Sequence, residues 1–154
     1  MDVKWIVPRP IKCKWKLQGN NLHILNIDGS IRDKGGYGAV VRRPEGEVLK
    51  GVVGCYNKIS ITIHELQGID EGLKLVLRLE IPRILVGSDS QISVSIVKGL
   101  IDPPLDVRAF YQSILHSFSR LESFKIIHIY REFNMVTNHL LKLLVIIGHG
   151  VINY

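Results

Sequence analysis

Cysteine is scarce in this chain, and the spacing that would give it a structural role is missing. Cys13 and Cys55 are the only cysteines among 154 residues, and they do not form the C-x-x-C pair typical of structural zinc sites. Two thiols without a secretory signal are typical of reduced, structural cysteines. The sequence therefore favours neither a disulfide framework nor a structural zinc site.

Long apolar runs are also missing. The N-terminal stretch MDVKWIVPRPIKCKWKL carries charges and prolines where a signal peptide needs an apolar core. The C-terminal run LLKLLVIIGHGVI is interrupted by Lys142 and two glycines, and it is shorter than the ~20 apolar residues of a membrane span. We expect an intracellular protein that does not enter a membrane, and the compartment, nuclear or cytoplasmic, stays open. No internal repeat or low-complexity tract is present.

The composition is that of one globular domain. Apolar residues make up 46% and charged residues 22% of the chain, which excludes disorder by composition. Lysine and arginine exceed aspartate and glutamate by 20 to 14, a formal charge of +6. This excess favours a polyanionic partner, although many basic proteins bind no nucleic acid.

Three parts of the chain differ in character. Residues 1–20 are basic and read as an extended arm, with a loosely packed leader as the alternative. Residues 21–148 carry the patterns of regular structure, and residues 149–154 read as a C-terminal tail. The predicted strands are Leu22–Ile27, Gly36–Arg43, Glu47–Gly54, Arg83–Val86 and Phe124–Tyr130. The predicted helices are Ile61–Leu79, Gln91–Lys98, Val107–Leu121 and Met135–Ile147.

The order βββ-α-β-α-α-β-α predicts one α/β architecture. Three short strands with tight connections indicate an antiparallel meander. Each later strand–helix–strand passage makes a right-handed parallel crossover. We therefore predict a five-stranded mixed sheet, with three antiparallel strands followed by two parallel ones and with helices on both faces.

Three carboxylates stand at separate points of this architecture. Asp28 follows the first strand in NIDGS, Glu65 interrupts the apolar stripe of the first helix, and Asp89 follows the fourth strand in VGSDS. Each also has a plain structural interpretation. Asp28 could belong to a turn, Asp89 could cap a helix, and Glu65 could form a salt bridge.

The predicted topology brings these acids together. The first and fourth strands would be parallel neighbours, so Asp28 and Asp89 would leave the same sheet edge, and Glu65 lies on the helix that connects them. Carboxylate oxygens favour Mg²⁺ or Mn²⁺ over zinc or copper. Two such ions about 3.5–4 Å apart can activate a water and stabilise the leaving oxygen of a phosphodiester.

These segments resemble a known family. NIDGS, HELQGIDEGLKLVLRLEIPRILVGSDSQ and IIHIYREFNMVTNHLLKL are similar, as an ordered set, to plant ribonuclease-H-like domains of the reverse-transcriptase-associated type, which occur alone or at the ends of retroelement polyproteins. The resemblance runs from about Asn26 to Leu144, and the entry segment Trp5 to Pro10 shares it. No polymerase or zinc-knuckle segment precedes it, so we expect the isolated domain, as a monomer.

The resemblance implies a type 1 ribonuclease H fold and hydrolysis of the RNA strand of RNA–DNA hybrids, which leaves 3′-hydroxyl and 5′-phosphate ends. It implies two Mg²⁺ or Mn²⁺ ions held by Asp28, Glu65 and Asp89, with Asp28 bridging both. Gly29 and Ser30 would contact the minor groove of the substrate, where 2′-hydroxyls mark RNA. His139 is a candidate for proton transfer.

The fourth motif departs from the family. An acid is expected where this chain has Asn138, within Thr137 to Leu141. An amide oxygen can ligate a metal but brings no charge, so we expect reduced activity. Three hypotheses follow: a metal-dependent nuclease acting on RNA–DNA hybrids, a module that binds hybrid or RNA without cutting it, and a retroelement remnant. Leu141 also adds bulk at a helix position where the family has a small residue.

Overall fold

A computed structural model of the chain describes residues 22–30, 36–55, 60–129 and 150–153. For Asp28, Ser30, Ile61 and residues 150–153 it describes the backbone only. The predicted basic arm, residues 1–20, and the predicted last helix, Met135–Ile147, lie outside the described residues.

The described elements follow the predicted order. The strands are β1 (His23–Ser30), β2 (Gly36–Arg42), β3 (Val48–Gly54), β4 (Arg83–Ser88), β5 (Ser123–His128) and β6 (Gly150–Asn153). The helices are α1 (Ile61–Arg78), α2 (Gln91–Val97) and α3 (Arg108–Ser119), with a short 3₁₀ helix at Leu105–Val107.

The sheet has the order β5-β4-β1-β2-β3-β6. β1 pairs antiparallel with β2, and β2 with β3. β4 pairs parallel with β1 on one side and with β5 on the other. The predicted five-stranded mixed sheet is thereby confirmed.

Two features of the sheet were not predicted. β6 pairs antiparallel with β3, from Lys50↔Asn153 to Val53↔Gly150, and it lies in the segment predicted as a tail. β1 runs on to Ser30, three residues beyond its predicted end. Its last residues, Asp28 to Ser30, pair with Gly38 to Gly36 of β2. The turn interpretation of Asp28 is therefore wrong, because the ladder to β2 holds this segment extended.

The core lies between the sheet and the three helices. Side chains on one face of β1 and β2 pack against the apolar stripe of α1, and α2 and α3 complete the same cluster. Its fully buried members include Leu25, Ile27, Ala39, Val41, Leu66, Ile69, Leu73, Ile96 and Ile114. The opposite face of the sheet is buried at Ile24 and Leu85, which form a second cluster. Helices on both faces were predicted, and the described ones share the first cluster.

Helix α1 begins and packs through specific residues. The Ser60 hydroxyl caps it by accepting the N–H of Ile63 at 3.2 Å. Gly68 and Gly72 face the sheet, where a Cβ on Gly72 would lie 2.8 Å from Leu25 Cδ1. These glycines let α1 lie close to β1 and β2. Among the described residues, no helix has the length and apolar character needed to cross a membrane.

Candidate functional site

The carboxyl ends of β1 and β4 lie side by side. Their parallel register runs from His23↔Ile84 to Ile27↔Ser88. Asp28 and Asp89 each follow the last of these pairs, so their backbone positions are neighbours at one edge of the sheet. β5 adds His128 opposite Ser88 at the same edge. This is the edge where the sequence analysis expected the acids to meet.

Glu65 of α1 reaches this edge from the side of the core. Its side chain is fully buried. Its Oε2 accepts the backbone N–H of Gly29 at 2.7 Å, and its Oε1 accepts the hydroxyl of Ser88 at 2.8 Å. A buried carboxylate needs such donors to offset the loss of water. Glu65 therefore joins the end of β1 to the end of β4.

The backbones of α1 and β1 approach each other closely at Gly29. A Cβ on Gly29 would lie 2.7 Å from the backbone nitrogen of Glu65 and 3.0 Å from the carbonyl carbon of His64. Only glycine fits without moving one of the two backbones. The predicted substrate contact at Gly29 and Ser30 stays a prediction, and the N–H of Gly29 donates within the protein.

The turn that carries Asp89 is held by serine hydroxyls. Ser88 is fully buried, and its oxygen accepts the N–H of Ser90 at 3.1 Å. Ser90 is the N-cap of α2, because its hydroxyl accepts the N–H of Ser93 at 3.2 Å. The alternative role of Asp89 as the helix cap is therefore wrong. Asp89 is half-buried.

The donor groups at this sheet edge are of the kind found in a site for a divalent metal ion. Glu65 and Asp89 offer carboxylate oxygens at the strand ends, which is the donor chemistry that Mg²⁺ and Mn²⁺ prefer. Within the described side chains, which exclude that of Asp28, no group of three His, Cys, Asp or Glu could hold a metal. Asn138 and His139 lie outside the described residues.

Tyr37 stands beside this edge, because it pairs with Gly29 across the β1–β2 ladder. Burial, and then the neighbouring carboxylate of Glu71, raise the pKa of Tyr37 well above its usual range. The phenol therefore stays neutral in physiological conditions and contributes no charge to the edge. The neighbour of Glu65 in the chain, His64, is also fully buried.

Two contact residues were missed by the sequence analysis. Ser88 ends an apolar strand, and only the strand register reveals that it faces Glu65. Asp70 is nearly fully buried, accepts the Ser113 hydroxyl at 2.6 Å and lies 3.3 Å from the ammonium of Lys74. Lys74 follows Asp70 by four residues, a spacing that could have indicated this ion pair.

Comparisons with known proteins place the chain in a family and support its fold. A family model described as "Reverse transcriptase-like" matches residues 26–143. A comparison with curated protein sequences gave no significant match.

Several solved ribonucleases H resemble the chain in fold. RNase H1 from the halophilic archaeon Halobacterium salinarum superposes with a TM-score of 0.71 at 17% identity, covering 77% of this chain and 92% of that one. The N-terminal RNase H domain of a Mycobacterium tuberculosis protein gives 0.72 at 21%, covering 79% and 91%. LC11-RNase H1, crystallised with an RNA/DNA hybrid, gives 0.69 at 20%, covering 77% and 92%. At these identities the likeness shows the fold alone.

Proposed function

Because the chain belongs to the reverse transcriptase-like family, we propose that it is a ribonuclease-H-type hydrolase that binds RNA–DNA hybrids and cleaves their RNA strand. One observation carries the proposal. The buried carboxylate of Glu65 is fixed by Gly29 and Ser88 at the sheet edge where Asp28 and Asp89 follow the last paired residues of β1 and β4. A domain that needed only a stable core would gain nothing from a buried acid there.

The acids would serve as metal ligands. Asp28, Glu65 and Asp89, together with the amide oxygen of Asn138, would hold two Mg²⁺ or Mn²⁺ ions. Such a pair, when bound, supplies an activated water and charge stabilisation for the leaving oxygen of a phosphodiester. The products would carry 3′-hydroxyl and 5′-phosphate ends.

The protein's own residues would bind the nucleic acid and orient the metal ligands. Gly29 and Ser88 hold both oxygens of Glu65, which leaves that carboxylate no freedom to rotate away from the edge. The net charge of +6 attracts the phosphate backbone of a hybrid. Gly29 and Ser30 would contact the minor groove, through backbone groups other than the Gly29 N–H. His139 would transfer a proton at the leaving group.

A second candidate function rests on Asn138. Loss of one negative charge weakens the second metal position, so the chain would bind hybrid or RNA without cutting it. The plant, retroelement-derived origin that the resemblance implies belongs to both candidates, since a remnant of a mobile element can lose catalysis before it loses its fold.

A cleavage assay separates the two. The substrate is an RNA–DNA hybrid with Mg²⁺ or Mn²⁺, and the proteins are the wild type, Asn138→Asp and Asp28→Asn. We expect slow cleavage by the wild type, faster cleavage by Asn138→Asp and none by Asp28→Asn.

The nuclease proposal fails if the wild type and Asn138→Asp are both inactive while folded. Hybrid binding that weakens with salt, without cleavage, would instead establish the binding module. Circular dichroism of each variant shows whether it is folded.

A further inference from the structure

The hydroxyl of Ser88 makes hydrogen bonds with Glu65 and with the N–H of Ser90, the residue that follows Asp89. We propose that Ser88 is a positioning residue, which sets the carboxylate of Glu65 and the turn carrying Asp89 as one rigid pair for divalent cations. This inference rests on the proposed function, because it gives the pair its purpose.

The direction of both hydrogen bonds follows from the groups involved. The N–H of Ser90 can only donate, so the Ser88 oxygen is its acceptor at 3.1 Å. The single hydroxyl proton of Ser88 is donated to Oε1 of Glu65 at 2.8 Å. One hydroxyl therefore couples α1 to the segment that follows β4.

The contact with Ser90 encloses Asp89. A serine that accepts the N–H two residues on closes a small turn around the residue between them. Ser90 is also the N-cap of α2, so the far side of the turn is fixed to a helix. The backbone of Asp89 is therefore held from both sides.

The surroundings of Ser88 restrict it on every side. It is fully buried and lies in β4 between two parallel neighbours, opposite Ile27 of β1 and His128 of β5. Removing its hydroxyl would take a donor from Glu65 and an acceptor from Ser90 together.

The test measures Mn²⁺ binding to the full chain by electron paramagnetic resonance, which needs no catalytic activity. The variants are Ser88→Ala, Ser88→Thr and the control Ser113→Ala. Ser113 is a matched control, because its hydroxyl also donates to a buried carboxylate of α1, that of Asp70 at 2.6 Å, away from the sheet edge.

We expect Ser88→Ala to weaken Mn²⁺ binding about tenfold or more, the loss seen when a group supporting a metal ligand is removed. Ser88→Thr keeps the hydroxyl and should restore binding. Ser113→Ala should leave it unchanged. Amide hydrogen exchange at Ser90 should rise in Ser88→Ala alone, with or without metal.

Two failures are distinguishable. If the wild type binds Mn²⁺ and Ser88→Ala binds it equally well, the positioning role is wrong and the proposed function stands. If the wild type binds no Mn²⁺ at all, the proposed function fails, and the purpose assigned to Ser88 fails with it. Equal losses in Ser88→Ala and Ser113→Ala would reduce Ser88 to a stabilising contact.

Discussion

Helix α1 carries two buried acids in different surroundings. Glu65 lies at the sheet edge and accepts hydrogen bonds from a backbone amide of β1 and a hydroxyl of β4. Asp70, five residues later, faces α3 and accepts the hydroxyl of Ser113, with the ammonium of Lys74 at 3.3 Å. Both residues are shielded from water, because 0% of the surface of Glu65 and 4% of that of Asp70 is exposed.

The difference lies in what their partners do to the charge. Lys74 brings a positive charge to Asp70, so that acid is balanced within its own helix. The two hydrogen bonds that Glu65 accepts from Gly29 and Ser88 come from neutral donors, which orient a carboxylate without cancelling its charge. The Asp70 region therefore joins two helices, whereas the Glu65 region fixes a carboxyl group beside the backbone positions of Asp28 and Asp89.

We expect the largest effect when the charge of Glu65 or of Asp70 is removed and the cleavage activities of the two variants are compared. Glu65→Gln keeps the size of the side chain and removes its charge, and we expect cleavage of an RNA–DNA hybrid to fall by roughly 100-fold or more, as when a charge-stabilising group is removed. Asp70→Asn should keep cleavage close to that of the parent. Steady-state kinetics, in the Asn138→Asp background if the wild type is slow, measure both.

Equal losses of cleavage activity in the two variants would contradict this distinction, because both acids would then affect activity only by stabilising the fold. Unfolding by urea under the assay conditions shows whether each variant remains folded during the measurement.

The next effect compares the packing of the two regions. A Cβ on Gly29 would meet the backbone of Glu65 at 2.7 Å, whereas one on Gly72 would meet the tip of the Leu25 side chain at 2.8 Å. A side-chain tip can rotate to relieve such an overlap, whereas a paired backbone moves only at a greater cost in free energy. We expect Gly29→Ala to lower the free energy of unfolding by about 3 kcal/mol.

Gly72→Ala is the matched control. The same overlap is relieved by Leu25, and alanine gains about 1 kcal/mol in helix propensity, so the net change should be small. Urea unfolding of both variants measures the difference. A loss for Gly72→Ala as large as that for Gly29→Ala would show that the two contacts are equally rigid.

Periodicity was sufficient for most of the fold. The change from alternating to three-and-four spacing located α1, and short apolar runs between turn residues located β2 to β5. β6 could not be predicted, because four residues carry no usable period and only the edge of β3 makes them a strand. The end of β1 was misjudged because Asp28-Gly29-Ser30 has turn composition, which the ladder to β2 overrides.

Part of the candidate site could also be predicted from the sequence. Strand order and chain order place Asp28 and Asp89 at one edge, and an acid in an apolar stripe singled out Glu65. The partners of Glu65 were not visible, since Gly29 and Ser88 are 36 and 23 residues away from it in the chain. Contacts of this kind depend on helix placement and register, which no local pattern records.

A smaller effect tests the hydrogen bond between α1 and α3. Ser113→Ala removes the 2.6 Å hydrogen bond to Asp70, and a hydrogen bond to a charged group contributes about 1.5 kcal/mol. We expect the free energy of unfolding to fall by that amount, with Mn²⁺ binding unchanged. Urea unfolding and metal titration of the same sample check both halves. A change in metal binding would connect the two regions that the comparison separates.

The smallest effect concerns the cation beside Asp70. Lys74 is 44% exposed, but its partner carboxylate is only 5% exposed, whereas the pair Arg43–Glu47 is exposed on both sides, at 51% and 76%. Exposed pairs contribute about 0–1 kcal/mol, and burial of one partner weakens screening by water and salt. We therefore expect Lys74→Gln to lower the free energy of unfolding by about 1 kcal/mol at low and high salt alike, and Arg43→Gln to have a smaller effect that disappears at high salt. If urea unfolding gives both variants the same salt-sensitive loss, Lys74 acts as a surface charge, and the balance of charge assigned to Asp70 is wrong.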